Sequence, residues 1–191
     1  MQFDVLPEST HPSVVLRTLT TADLPRWSSY LLQPKVHEHT SWNDMSVPAL
    51  ASILSKCVAH DPSAPLRLAI VSRSDDTLVG TIGFHTVWPE HRSAELAYDL
   101  APEVWGQGIA TSLCRTMVRW GHDVARLNRV QATVLDSNVR SIRVLERVGF
   151  SREGLLRAYR LVRGRPGDFW MYAHVTDMTA GIPSEQNLHL T

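Results

Sequence analysis

Residues 102–117 read PEVWGQGIATSLCRTM. A proline opens the stretch, Gly106 and Gly108 follow one residue apart, and the chain then turns apolar at helical spacing through Ile109, Leu113, Met117 and Trp120. A helix start exposes unpaired N–H groups and partial positive charge. Residues without bulk ahead of it let a phosphate approach those groups. A plain glycine turn competes with that reading, because such pairs are common. A Walker loop is excluded, since no Lys follows the second glycine. The dinucleotide fingerprint is a poor match: the loop reads G-x-G-x-A and strands in a meander precede it.

Working outward, LRLAIVSR, TLVGTIGFHTV and SAELAYDLA are β-rich runs broken by SDD and WPEHR, which predicts a hairpin extended into a meander. Ahead of them lie a short strand at Val14–Arg17 and a helix carrying Leu24, Trp27 and Leu31. Next come QPKVHEHTSWND, read as a loop, and an amphipathic helix capped by Ser46. Downstream the pattern gives a helix from Ile109 to about His122, a strand in NRVQATVL, and a second helix in SNVRSIRVLERVGF. Gly149 caps that helix in left-handed conformation, with Phe150 folded back on it. LLRAYRLV and DFWMYAHVT are strands around the turn RGRPGD, and the tail at about 180–191 is expected to be loose. This order predicts one α+β domain over 1–191, core about 14–175, with a mixed, mostly antiparallel sheet flanked by about four helices.

The chain has 191 residues, 43% hydrophobic and 20% charged, with a formal net charge of +0. That size supports a real core, and the charge gives no basic surface for nucleic acid. Cys57 and Cys114 lack metal spacing and read as buried thiols of a reducing compartment. The N-terminus has no apolar signal core, and no run reaches the roughly 20 apolar residues of a membrane span. A soluble, cytoplasmic protein without metal, membrane or nucleic-acid partners is the expectation, as monomer or homodimer.

WGQGIAT and NVRSIRVLERVGF, at this spacing and in this strand order, resemble the GNAT superfamily of N-acetyltransferases. The likeness is closest to the RimJ/RimL-like, ribosomal-protein alanine acetyltransferase type, which has similar forms of AELAYDLAPEVWGQG and of the final hairpin LLRAYRLVRGRPGDFWMYA. It covers roughly residues 14–175. The resemblance implies acetyl-coenzyme A as co-substrate, with its pyrophosphate on the N–H groups of Gly106, Gln107, Gly108, Ile109, Ala110 and Thr111. It implies that the strand ending at Leu100 pairs with the pantetheine arm and that Asn138 reaches that arm. A helix N-cap is the alternative role for Asn138. Trp105 stands where the wider superfamily has Gln or Arg, as the RimJ/RimL type commonly does.

Acetyl transfer to an amine needs a neutral nucleophile, a donor for the developing oxyanion, and a proton for the leaving thiolate. Near pH 7.5, neutralising a lysine side chain costs roughly 4 kcal/mol, and an α-amine well under 1 kcal/mol. A weak base, acting directly or through water, therefore suffices for an α-amine. Glu95 is the candidate: the RimJ/RimL pattern has an acid there, and strand alternation puts Glu95, Ala97 and Asp99 on one face. Many superfamily members have a tyrosine acid where this chain has Leu145, so Ser141, one turn after Asn138, is the candidate donor to the thiolate. Tyr98 is assigned to the core and His85 to a satisfied, half-buried role.

In the family the loop between the first two helices and the last hairpin line the acceptor groove. That implies substrate-binding roles for Glu38, Trp42 and Tyr159, with ordinary surface or core roles as alternatives. The expected activity is N-acetylation by a ternary-complex mechanism. The acceptor is a small amine or peptide, or a protein N-terminal α-amine; the alternative is a catalytically weak acyl-coenzyme A-binding module.

Overall fold

A computed structural model describes residues 5–57 and 63–176. Seven strands form one sheet in the order β1-β2-β3-β4-β5-β7-β6. They span Val14–Thr18 (β1), Leu66–Ser72 (β2), Leu78–Trp88 (β3), Ser93–Leu100 (β4), Arg129–Leu135 (β5), Ser151–Val162 (β6) and Arg165–Val175 (β7). The helices are Leu24–Leu31 (α1), Pro34–His37 (α2), Val47–Cys57 (α3), Ile109–Asp123 (α4) and Val139–Val148 (α5). β1 to β4 form the expected antiparallel meander. β4 meets β5 in parallel, because α4 carries the chain back across the sheet.

Strand alternation divides the interior in two. Leu68, Ile70, Ile82, Phe84 and Leu96 face α4 and α5, meeting Ile109, Leu113, Met117 and Leu145. Ala69 and Val71 point the other way, toward Trp27, Tyr30, Leu31, Leu50 and Leu54 of α1 and α3. β2 and β3 are thus buried on both faces, which explains their nearly unbroken apolar runs.

Two expectations need correction. QPKVHEHTSWND is not all loop: Pro34 starts a one-turn helix that buries Val36. One turn is too short to show a hydrophobic period, and with it the α-helices among the described residues number five. The last hairpin turns on Arg163 and Gly164 alone, both left-handed at φ 53° and 77°, as a two-residue hairpin turn requires. Pro166 therefore lies inside β7 rather than in the turn. It is tolerated because β7 pairs with β5 only from Phe169 onward. The tail expected to be loose lies outside the described residues.

The β4–β5 ladder contains three pairs, Ser93↔Arg129, Ala94↔Val130 and Glu95↔Gln131. Beyond them the strands part, so an unpaired edge of β4 faces the start of α5 across a gap.

Candidate active site

Two cavities open on the two faces of the sheet at this gap. One, of about 620 Å³, lies on the α4–α5 side and is lined by Leu100, Trp105, Gly106, Gly108, Ile109, Ala110 and Thr111. The other, of about 560 Å³, lies toward α1–α3, where Trp42, Arg67, His85, Glu95, Thr133 and Arg160 line it. Tyr98, Asn138 and Ser141 belong to the walls of both, so the cavities meet at the gap.

The opening stretch forms the mouth of the first cavity. Gly106 and Gly108 have φ of 79° and 82°, and a side chain at either would meet no atom within 4 Å. Glycine is there for backbone conformation, not for lack of space. Ser112 N–H is the first of α4 to find a helical acceptor, on Gly108 O at 3.0 Å. Ile109, Ala110 and Thr111, whose N–H groups precede the first helical bond, lie on the wall of that cavity. Gln107 turns away: its carbonyl accepts from His11 and its amide donates to Glu103 O. Opposite the loop, Arg140, Arg143 and Arg147 line the same cavity from α5. Arg140 stacks 4.6 Å over the Trp105 ring. These arginines were not singled out from sequence, although their spacing of three and four residues puts them on one helix face.

Asn138 is the N-cap of α5: its Oδ1 accepts from Ser141 N–H at 3.1 Å, and its Nδ2 donates to His39 O at 2.7 Å. The structural alternative for Asn138 is thus realised, at the wall of both cavities.

Glu95 is 3% exposed. A β-bulge between Phe84 and Thr86 makes His85 the extra residue of β3 and turns it toward Glu95. His85 Nε2 lies 3.1 Å from Glu95 Oε1, Thr133 Oγ1 donates to that oxygen at 2.5 Å, and Arg160 Nη2 reaches it at 3.2 Å. A second register break, between Leu156 and Arg160, precedes that arginine on β6. Burial pushes the Glu95 carboxyl up, but the hydrogen bond and charge of His85, the Thr133 hydroxyl and the Arg160 charge together hold it down at about 2. His85 is indeed half-buried and satisfied, with Thr86 Oγ1 2.8 Å from its Nδ1.

Below Glu95 on the same face runs a buried ionic network. Arg67 donates to Asp99 and, from Nε, to Thr81 Oγ1 at 2.8 Å. Tyr30 donates to Asp99 Oδ1 at 2.5 Å. The Arg67 guanidinium sits over Trp27 and Trp42, 5.5 and 5.9 Å from their ring centres.

The loop before α3 and the last hairpin meet, by contacts the sequence did not reveal. The Arg163 guanidinium donates to the carbonyls of His37 and Thr40 at 2.9 and 3.0 Å, and Asn43 pairs with the hairpin backbone through both ends of its amide. Trp42 reaches the cavity wall. Glu38 does not: its side chain is 75% exposed. Tyr159 lies just outside, its ring 5.8 Å from Phe169 and 4.7 Å from the Arg160 guanidinium.

A family model described as an acetyltransferase (GNAT) domain matches residues 13–151. The chain belongs to the GNAT acetyltransferases. It is an acyl-coenzyme A-dependent N-acetyltransferase. It is 30% identical over 164 residues to the uncharacterized N-acetyltransferase YoaA of Bacillus subtilis (strain 168), covering 85% of this chain and 93% of that one. It is 28% identical to the spermidine N(1)-acetyltransferase of Vibrio cholerae, over 53% of this chain and 59% of that one. The structure of Mycobacterium smegmatis RimJ in complex with CoA-disulfide superposes with a TM-score of 0.72 at 28% identity, covering 88% of this chain and 84% of that one. In this GNAT enzyme no helix among the described residues is long and apolar enough to cross a membrane.

Proposed function

We propose that this enzyme moves the acetyl group of acetyl-coenzyme A directly to the α-amine of an amino-acid derivative, peptide or protein N-terminus. The observation that carries this reading is the state of Glu95. A carboxylate held at about 2 by three donors is too weak a base to deprotonate a lysine-like ammonium, which ordinarily titrates near 10.4. An α-amine, near 7.7–8.0, already has a substantial neutral fraction near pH 7.5 and needs little help from a base. The cavity charge agrees: Lys56, Arg67 and Arg160 line it against Asp44 and Glu95, no match for a polycation such as spermidine.

The fit to the co-substrate rests on the loop and on α5. The unpaired N–H groups of Ile109, Ala110 and Thr111, with the glycine backbone ahead of them, suit a pyrophosphate. Arg140, Arg143 and Arg147 supply matching positive charge. The open edge of β4 past Glu95 suits the amides of a pantetheine arm, with Asn138 and Leu100 at its walls. When bound, the thioester supplies the activated acetyl group. Glu95 stabilises the positive charge that grows on the attacking nitrogen, and water carries the released proton outward. Ser141 donates a hydrogen bond toward the leaving sulfur. Trp42 packs the acceptor, with Tyr159 and Glu38 at the rim of its entrance.

Free-thiol release from acetyl-coenzyme A, measured against peptides with varied N-termini, lysine derivatives and polyamines, tests the proposal. Turnover through peptide or amino-acid α-amines is expected. Preference for spermidine or for a lysine side chain would overturn the α-amine reading.

A further inference from the structure

The segment ahead of β1 runs back along α4 and is tied to three successive turns of that helix. Trp120 Nε1 donates to Val5 O at 2.8 Å, and Thr10 Oγ1 lies 3.2 Å from Thr116 Oγ1 and 2.9 Å from Ser112 Oγ. Ser112, Thr116 and Trp120 are four residues apart, hence on one face of α4. The next residue of the segment, His11, meets the glycine loop: its Nε2 lies 3.1 Å from Gln107 O. Arg73 holds the chain that follows, its Nε donating to Pro12 O at 3.0 Å and its backbone N–H to Ser13 O at 2.9 Å. His11 is therefore anchored on both flanks.

A carbonyl oxygen only accepts, so the His11 Nε2 carries a proton and donates it to Gln107 O. Nδ1 then accepts from Ser13 N–H at 3.3 Å, with Ser13 Oγ 2.9 Å away. One tautomer of the ring serves all three contacts. The consequence lies across the next peptide bond. In a planar trans peptide the C=O and the following N–H point in opposite directions, and the described residues contain no cis peptide. With Gln107 O turned to His11, the Gly108 N–H points the other way. Gly106 and Gly108 line the cavity on the α4–α5 side, and His11 and Gln107 do not. The Gly108 N–H has no acceptor among the described residues. Glycine at positive φ leaves such a peptide free to rotate, and once rotated it would present a carbonyl oxygen to an arriving anion.

We infer that His11 is a positioning residue for the co-substrate: by holding Gln107 O, it keeps the Gly108 N–H turned into the cavity as a donor to the pyrophosphate of acetyl-coenzyme A. The inference rests on the pyrophosphate placement proposed above. A donor already aimed costs no rearrangement when the anion arrives, so the gain appears as affinity. The chemistry at Glu95 and Ser141 lies on other elements, β4 and α5. His11 therefore acts on the binding of the nucleotide end and leaves the transfer step alone.

Two variants and two acetyl donors test this. His11→Phe keeps a ring and removes the donor, whereas His11→Gln returns an N–H at a similar reach. Calorimetry should show coenzyme A bound about tenfold more weakly by the Phe variant, and within about twofold of wild type by the Gln variant. In the Phe variant the KM for acetyl-coenzyme A should rise while kcat stays nearly unchanged. Acetyl-pantetheine carries the same thioester and no pyrophosphate, so its kcat/KM should be alike in all three proteins. A merely structural role predicts otherwise, because a loosened segment would weaken both donors together. Equal losses with the two donors, undiminished coenzyme A affinity in the Phe variant, or no recovery in the Gln variant would overturn the inference. Comparing Gly108→Asp with Gly108→Asn separates it from the reading beneath it. Weaker coenzyme A binding by the Asp variant, with His11→Phe unaffected, defeats the role of His11 alone. Equal binding by the two Gly108 variants defeats the pyrophosphate placement, and the role of His11 with it.

Discussion

Replacing Glu95 with Gln preserves the shape of the side chain and removes its charge. In the folded protein burial works against the carboxylate, yet His85, Thr133 and Arg160 hold the carboxyl at about 2, against an ordinary 4.5. That difference corresponds to about 3 kcal/mol of folding free energy at neutral pH. The folded value is the lower one, so the unfolded chain binds the proton more readily. The contribution is therefore complete above about pH 4.5 and is lost as the pH falls toward about 2. Near pH 3 roughly 2 kcal/mol of it has gone. Glu95→Gln has no such titration. Urea unfolding of both proteins, near pH 7 and near pH 3 at one ionic strength, should show the variant less stable by about 3 kcal/mol at the higher pH and by about 1 kcal/mol at the lower. Thiol release with a peptide acceptor should fall about tenfold or more, with coenzyme A affinity nearly unchanged. A gap under about 1 kcal/mol at neutral pH, or one that does not narrow in acid, would refute the account of how Glu95 is held.

The glycine loop separates strain from charge in one comparison: Asn tolerates the left-handed backbone of Gly108, so Gly108→Asn serves as the reference for Gly108→Asp. Calorimetry should show coenzyme A bound about tenfold more weakly by the Asp variant than by the Asn variant, about 1.4 kcal/mol; equal affinities would place the pyrophosphate elsewhere. Removing Arg143 or Arg147 as Ala should lower coenzyme A affinity several-fold and flatten its dependence on salt, and an unchanged salt dependence would remove them from the site. Arg67→Met should destabilise by about 3–5 kcal/mol, because Asp99 is left buried and charged. Adding Asp99→Asn should recover much of that loss in denaturant titrations, and a double variant as unstable as the single one would contradict the pairing.

The site was legible in unequal parts. Glycine's freedom at positive φ is local, so the turn at Gly106–Gly108 ahead of α4 was legible before any fold was known. The same holds for the Asn138 cap, whose bond to Ser141 N–H spans three residues. The alternation of β4, a property of extended backbone, correctly set Glu95 and Asp99 on one face and Tyr98 on the other. Glu38 shows the limit: the family likeness implied a substrate-binding role for its acidic side chain, but only the path of the loop in the folded chain shows that it points to solvent. Tyr98 shows another. An aromatic residue on a buried strand reads as core from composition, and Tyr98 does pack on the core, but that its hydroxyl is buried beside Ser141 and Cys114 depends on α4 and α5 packing above it.

The sequence by itself determined most of the element order, the glycine turn ahead of α4 and the family likeness, because each rests on short-range periodicity, turn chemistry or matched motifs. The tertiary structure alone decided that β4 and β5 part after Glu95 and that the Arg163 hairpin clasps the loop before α3. It alone placed His85, Thr133 and Arg160, from three strands, on one carboxylate. Those contacts join residues 10 to 126 positions apart, and no local pattern encodes which strand lies beside which, or where a ladder ends.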